Sequence, residues 1–209
     1  MPQVYLVRHG ATEWNQQKLA QGHADIPLDE EGVAQAHAAA RSFFDIPLGA
    51  VFSSDLIRAI DTATAIAEPH NLTVIQDPAF REIDQGEWEG LHVEEIRRRW
   101  PDLWGPSRHF SPRPGGETPQ QVRARGLEAL GRAVVACPSA PFVVVSHGGT
   151  IRWICAEALG YDDRRSARLR GLGNGGIVSI EATMDGSRLV LSNLHRLDGN
   201  TPDLDDPND

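Results

Sequence analysis

Val4-Tyr5-Leu6-Val7-Arg8-His9-Gly10-Ala11-Thr12-Glu13-Trp14-Asn15 is the stretch around which the rest of the chain is read. Four apolar residues give a short buried-strand signal that stops abruptly at Arg-His-Gly. Neighbouring side chains on a strand face opposite ways, so Arg8 and His9 can meet one ligand only if the backbone turns there. Gly10 permits that turn, because glycine reaches backbone angles that other residues avoid. A cation and an imidazole at the carboxyl end of a strand, followed by glycine, suit the ligand edge of an open α/β sheet.

Imidazole can serve as nucleophile, base or metal ligand. A neighbouring guanidinium favours the first role if the substrate is a phosphate ester, since guanidinium grips phosphate in a two-pronged way. It disfavours a metal, because a cation beside a metal ligand is electrostatically costly. An isolated Arg-His-Gly is also compatible with an ordinary surface histidine, so the remaining residues decide.

The chain has 209 residues, 40% of them hydrophobic, enough for one domain with a real core. It shows no apolar run of membrane-spanning length and no basic-then-apolar leader, so a cytoplasmic address without a membrane partner is expected. Cys137 and Cys155, the only cysteines, lack a metal spacing, and a disulfide between them is left open. The net charge of −9 is concentrated at the end, where Asp198, Asp203, Asp205, Asp206 and Asp209 run without a Lys or Arg. Residues 198–209 therefore read as a disordered acidic tail behind a single domain over 1–197. The acidity argues against a nucleic-acid partner. A phosphate site would have to be locally basic, and screening over about 8 Å allows that.

Asp29 or Glu30 opens a helix through Ala34, Ala38 and Phe43. Ala50-Val51-Phe52-Ser53 is a second strand, and Ser54 or Asp55 is the natural N-cap of the helix after it. Arg58 then falls in that helix's first turn, where the backbone already favours an anion; pairing to Asp55 or Asp61 is the competing reading. A third strand, Leu72 to Ile75, leads into the Phe80–Asp84 loop, where Glu82 could simply pair with Arg81. His92 to Trp100 is a short helix whose Arg97-Arg98-Arg99 run reads as a solvated face. Residues 84–117, rich in Trp, Pro and Arg, read as a small lid insertion. Thr118-Pro119-Gln120-Gln121 starts a helix running to about Val135, with a capping box. Phe142 to Val145 is the most apolar strand and ends in Ser146-His147-Gly148-Gly149 before another helix. Gly176–Ala182 and Leu189–Leu194 suggest an edge hairpin, which leaves room for a homodimer.

Two strand ends thus deliver a histidine followed by glycine, and two others bring Arg58 and Glu82. Leu6 to Asn15 (LVRHGATEWN), Ser53 to Ala63 (SSDLIRAIDTA), Arg81 to Gly90 (REIDQGEWEG) and Ser146 to Gly149 (SHGG) together resemble the histidine phosphatase superfamily, the phosphoglycerate mutase-like family. They do so in the family's order and over nearly the whole chain. The resemblance implies a three-layer α/β/α fold with a mostly parallel central sheet. It also implies His9 as a nucleophile that becomes phosphorylated, and Arg8, Arg58 and His147 as phosphoryl-binding groups helped by Asn15. Glu82 is implied as the proton donor, with Gln21, Gly22 and Gly148 at the substrate.

This set of residues makes chemical sense. The transition state of phosphoryl transfer spreads negative charge over equatorial oxygens, and positioned cations do most of the work. Two arginines and a second imidazole could supply that without a metal or other cofactor. Arg8 and Arg58 should help keep His9 deprotonated, whereas His147 would be more useful charged. The expected activity is that of a histidine acid-type phosphatase, a phosphoric monoester hydrolase acting on a small phosphorylated metabolite. The short chain, the Ile-Asp-Gln-Gly-Glu-Trp context of Glu82 and the single lysine, Lys18, favour the small phosphatase branch. A cofactor-dependent phosphoglycerate mutase and a non-catalytic phospholigand-binding module stay open. Trp88, Trp100, Trp104, His109, Phe110 and Arg113 are candidates for the specificity wall, with Arg113 a candidate grip for a substrate carboxylate and a solvated loop residue as the competing reading.

Overall fold

The computed structural model describes residues 1–104, 111–166, 169 and 171–196. In chain order these form β1 (Gln3–Arg8), a one-turn helix α1 (Glu13–Gln16), α2 (Glu30–Arg41), β2 (Ala50–Ser53), α3 (Ile57–Ala67) and β3 (Val74–Gln76). There follow α4 (Val93–Arg99), α5 (Pro119–Ala136), β4 (Phe142–Ser146), α6 (Gly148–Ala158), α7 (Asp163–Ser166), β5 (Ile177–Asp185) and β6 (Arg188–Arg196). The acidic stretch 198–209 lies outside the described residues, as do Arg108, His109 and Phe110.

The six strands make one sheet in the order β3-β2-β4-β1-β5-β6. The first four run parallel, and the β5–β6 hairpin closes the edge antiparallel. The register sets Arg8 beside Ser146 and Ser53 beside Val145, so three parallel strands end level with one another.

Alternation along β1 and β4 divides the core into two layers. Val4, Leu6, Phe142 and Val144 face α5 and α6, packing with Leu130, Val134, Ile151 and Ile154. Tyr5, Val7, Val143 and Val145 face α2 and α3, packing with Ala39, Phe43, Ala63 and Ile66. Strands covered on both faces read as continuous apolar runs, which is why β1 and β4 were the clearest signals in the sequence. The result is the expected α/β/α sandwich with a mostly parallel sheet.

Local rules account for most helix starts. Asp29 caps α2 by accepting from the Gly32 N–H at 2.7 Å, and Thr118 with Gln121 forms the capping box of α5. The start of α3 departs from expectation. Its N-cap is Leu56, which has no capping side chain, and neither Ser54 nor Asp55 fills that place. The Ile57 N–H instead donates to Asp25 Oδ1 at 2.7 Å. The cap comes from 32 residues upstream, where no local pattern could reveal it. Both cysteines are free and buried, so the disulfide does not form here.

Candidate active site

The sheet delivers its chemistry at the carboxyl ends of β1 and β4. The His9 N–H donates to the Ser146 carbonyl at 3.1 Å, tying the two strand ends together. On the other side the Gly175 N–H donates to the Arg8 carbonyl at 3.0 Å. Asn174 Nδ2 donates to the carbonyls of His9 and Gly10 at 3.1 and 3.3 Å, and Thr62 Oγ1 accepts from the Gly10 N–H at 3.1 Å. The turn after β1 is thus fixed by backbone contacts on every side.

His9 is buried at 3% exposure. Its Nδ1 lies 2.7 Å from the Gly10 carbonyl. A carbonyl only accepts, so in the neutral ring Nδ1 carries the proton and the lone pair resides on Nε2. Burial, then Arg58, then Arg8, hold the His9 pKa well below that of an ordinary imidazole. The ring of His147 stands 5.0 Å away, centroid to centroid, at an interplanar angle of 56°.

Arg58 is fully buried in the first turn of α3. Nη1 donates to the Ala24 carbonyl at 2.7 Å and Nη2 to the Gly22 carbonyl at 2.9 Å. It pairs with neither Asp55 nor Asp61. Asp55 is instead held by Arg81 through two bonds of 2.7 and 2.6 Å, which also removes the competing reading of Glu82 as a partner for Arg81. Burial lowers the Arg58 pKa to about 10, against the pull of Glu82, Asp25 and Glu89. Arg8 is anchored through Nη1 to the Leu172 carbonyl at 2.7 Å. Gly148 packs on it, since a Cβ there would sit 3.5 Å from both Cζ and Nε.

Glu82 reaches the same centre from the loop after Phe80. Oε2 accepts from the Gly149 N–H at 3.0 Å and Oε1 from its neighbour Ile83 N–H at 2.9 Å. A Cβ on Gly149 would lie 2.3 Å from Oε1, so the second glycine of the His-Gly-Gly run is what lets the carboxylate approach the start of α6. Among the described residues, Arg8 Nε, Arg58 Nε and both ring nitrogens of His147 are buried with no hydrogen-bond partner. Buried polar atoms are nearly always paired. Four such atoms around one imidazole mark a site built for an anionic, oxygen-rich group.

The family model described as histidine phosphatase superfamily (branch 1) matches residues 4–195. The chain belongs to that superfamily. It is similar to a Bacillus subtilis protein named "Uncharacterized phosphatase PhoE", at 34% identity over 81% of this chain and 84% of the relative. It is also similar to a Yersinia pestis protein named "Probable phosphoglycerate mutase GpmB", at 32% identity over 81% and 80%. Among solved structures, mycobacterial glucosyl-3-phosphoglycerate phosphatase in complex with VO3 aligns with a TM-score of 0.85 at 30% identity, covering 93% of this chain and 97% of the other.

In this histidine phosphatase superfamily member, Arg8, His9, Arg58, Glu82, His147 and Gly148 come together as the sequence suggested. Asn15 lies beside them; its Oδ1 accepts from the Thr12 N–H at 3.1 Å and from Asn174 Nδ2 at 3.2 Å. The Gly22 carbonyl meets Arg58, and its backbone adopts φ +53, where a Cβ would come within 2.7 Å of Glu89 Oε2. Gln21 is buried, with its Oε1 unpaired among the described residues. Burial, Arg58, His9 and Arg8 hold the His147 pKa well below the ordinary value.

Several positioning residues escaped the sequence reading. Arg125 of α5 donates to the carbonyls of Ala79, Arg81 and Glu82 at 2.9, 2.7 and 2.8 Å and pairs with Glu117 at 2.8 Å. It clamps the whole segment that presents Glu82. His23 Nε2 meets the Glu82 carbonyl at 3.0 Å, and Glu89 Oε2 accepts from the N–H groups of His23 and Ala24. All are long-range contacts to backbone, which leave no mark in local sequence.

The two neutral imidazoles predict a pH dependence of stability. In the unfolded chain each takes a proton near pH 6.5; in the folded chain both resist it. Above that pH the two states bind equal numbers of protons at these sites. Below it the unfolded state binds more, so stability falls as pH falls, by up to about 1.4 kcal/mol per pH unit for each ring. Urea unfolding at pH 7.5, 6.0 and 5.0 should show this decline, and His147→Asn should make it shallower. Stability that stays flat from pH 7.5 to 5.0 would contradict the neutral pair.

Proposed function

We propose that the protein is a metal-independent phosphomonoesterase that works through a phosphohistidine on His9, on a small phosphorylated metabolite. The observation that carries this is the set of buried, unpaired donor atoms on Arg8, Arg58 and His147 around the His9 ring. The phosphatase names of two of the relatives above support it.

In the first half-reaction His9 Nε2 attacks phosphorus as the ester P–O bond breaks. The leaving oxygen takes the Glu82 proton, and a P–N bond to His9 forms. Arg8, Arg58 and His147 hold the equatorial oxygens, where charge develops. A dianion among them also favours protonation of His147, reversing the effect of burial. In the second half-reaction a water oxygen attacks phosphorus as the P–N bond breaks and its electron pair returns to His9 Nε2, and the water gives its proton to the Glu82 carboxylate. Inorganic phosphate leaves, and both groups return to their starting states. Charge neutralisation comes from guanidinium and imidazole groups; among the described residues no cluster of three His, Cys, Asp or Glu side chains could hold a metal ion.

We further place the enzyme in the cytoplasm, supported by two free buried thiols in a fold that uses no disulfide. Among the described residues no helix is long and apolar enough to cross a membrane. A homodimer through the open edge of β6 is part of the same proposal.

The test is hydrolysis of p-nitrophenyl phosphate. Turnover should be the same with and without EDTA, and quenched enzyme should carry acid-labile phosphate. Loss of activity with EDTA would overturn the metal-independent mechanism. The GpmB-named relatives favour a mutase as the second reading; isomerisation of 3-phosphoglycerate with a bisphosphate primer, at a rate above its hydrolysis, would establish it instead.

A further inference from the structure

Residues 171–176 (GLGNGG) lead into β5 and pack against the end of β1, with Asn174 lying 165 residues from His9 in sequence. The Gly176 N–H donates to the Gly173 carbonyl at 3.0 Å, closing a β-turn with Asn174 and Gly175 at its centre. Gly175 stands at φ +69, a left-handed conformation that glycine takes without strain. The turn is fastened to β1 along its length. The Leu172 carbonyl accepts from Arg8 Nη1 at 2.7 Å, and the Gly176 carbonyl accepts from the Arg8 N–H at 3.0 Å. The Gly175 N–H donates to the carbonyls of Arg8 and His9 at 3.0 and 3.2 Å.

Asn174 is the side chain that this turn presents. Its Nδ2 meets three oxygens, the carbonyls of His9 and Gly10 at 3.1 and 3.3 Å and Asn15 Oδ1 at 3.2 Å. None of the three can donate, so the nitrogen of the amide, and not its oxygen, belongs there. Two of these contacts bear on the chemistry. A carbonyl oxygen has two lone pairs. On Gly10 the His9 Nδ1–H takes one, at 2.7 Å, and Asn174 takes the other. The group that selects the His9 tautomer is therefore itself held in place. Asn15 Oδ1 also accepts from the N–H and Oγ1 of Thr12, each at 3.1 Å. With Asn174, three donors fix the oxygen end of that amide.

We propose that Asn174 is a positioning residue for phosphoryl transfer. By holding the Gly10 carbonyl it keeps the His9 proton on Nδ1 and the lone pair on Nε2, and by holding Asn15 Oδ1 it turns the NH2 end of Asn15 toward the phosphoryl oxygens. One amide nitrogen thus aligns the nucleophile and a phosphoryl donor together. The inference rests on the phosphohistidine reading above.

Nitrogen-15 NMR of the histidines reads the tautomer directly, with His9 assigned by its absence from His9→Ala. In the native protein at neutral pH its Nδ1 should be protonated and its Nε2 bare. Asn174→Leu keeps the outline of the side chain and removes the donor. The two His9 signals should then move toward each other as the tautomers mix. In the same variant kcat/KM on p-nitrophenyl phosphate should fall by about 10- to 100-fold, the scale of a small misplacement of reacting groups. Asn174→Gln, which keeps the amide, should recover part of both. On an Asn15→Leu background Asn174→Leu should cost less, because the two side chains share a contact. A His9 spectrum unmoved by Asn174→Leu, or kcat/KM that stays close to native, would overturn the inference, and strictly additive losses would overturn the coupling to Asn15. Should Asn174→Leu not fold, Asn174→Ser decides by the same two measurements, its hydroxyl being too short to span the three acceptors. Failure of the parent reading looks different: the unsubstituted protein then turns over p-nitrophenyl phosphate with no acid-labile phosphate on the quenched enzyme.

Discussion

His9→Ala should abolish turnover, with kcat on p-nitrophenyl phosphate falling by about 10⁴-fold or more, and the acid-labile phosphate should vanish with it. The reasoning is geometric. His9 Nδ1 is occupied by the Gly10 carbonyl at 2.7 Å, so Nε2 is the one nitrogen of that ring left with a lone pair. His147 cannot substitute, because it follows the neighbouring strand β4 with its centroid 5.0 Å away; an ester placed for attack by one ring is misplaced for the other. The fold should survive, since the turn is held through the backbone by Ser146, Thr62, Asn174 and Gly175. Quench-flow labelling and a thermal melt on the same preparation measure both. A variant with one tenth of the native rate, or with phosphate still attached, would show that His9 is not the nucleophile.

Arg58→Ala should cost about 10³- to 10⁵-fold in kcat/KM, the range found when a single arginine is removed from other phosphoryl-transfer sites. Two losses combine. The guanidinium no longer faces the equatorial oxygens, and the carbonyls of Gly22 and Ala24 lose their donor. Leaving such buried acceptors unpaired costs about 1–3 kcal/mol each, so the melting temperature should fall as well. Arg58→Lys separates the effects. A lysine keeps the charge but is a single-point donor on a flexible stem and cannot reproduce the fork, so it should recover only a small part of the rate. A drop below tenfold for Arg58→Ala would mean that the phosphoryl group is held elsewhere.

The contacts that were legible in the sequence and those that were not differ in kind. β1 and β4 declared themselves because strands buried on both faces leave unbroken apolar runs, and a histidine followed by glycine at the end of each is a local pattern. Arg58 was placed correctly in the first turn of α3, yet the partners considered for it, Asp55 and Asp61, were wrong. Those are neighbours in sequence, whereas the actual acceptors are carbonyls 34 and 36 residues away. The same blindness hid Asp25 as the cap of α3 and Arg125 as the clamp on the Glu82 loop, because a side chain that serves a distant backbone has no spacing to betray it. The lowered pKa of His147 was hidden for another reason: it follows from complete burial beside two guanidiniums, a property of the assembled site.

The bonds from Arg58 to Gly22 and Ala24 reach beyond the phosphoryl group. They make the 22–25 turn and the anion cradle a single piece, so reshaping that flank to admit a bulkier alcohol would drag a catalytic cation with it. The described part of the 84–117 flank is fastened through Arg125 and Glu117 to the Ala79–Glu82 backbone and through Glu89 to the His23 and Ala24 N–H groups, so it can be recut without moving Arg58 where Glu89 is kept. Among descendants of this scaffold, new substrate preferences should accumulate on the tryptophan-rich wall, while the opposite one stays nearly frozen.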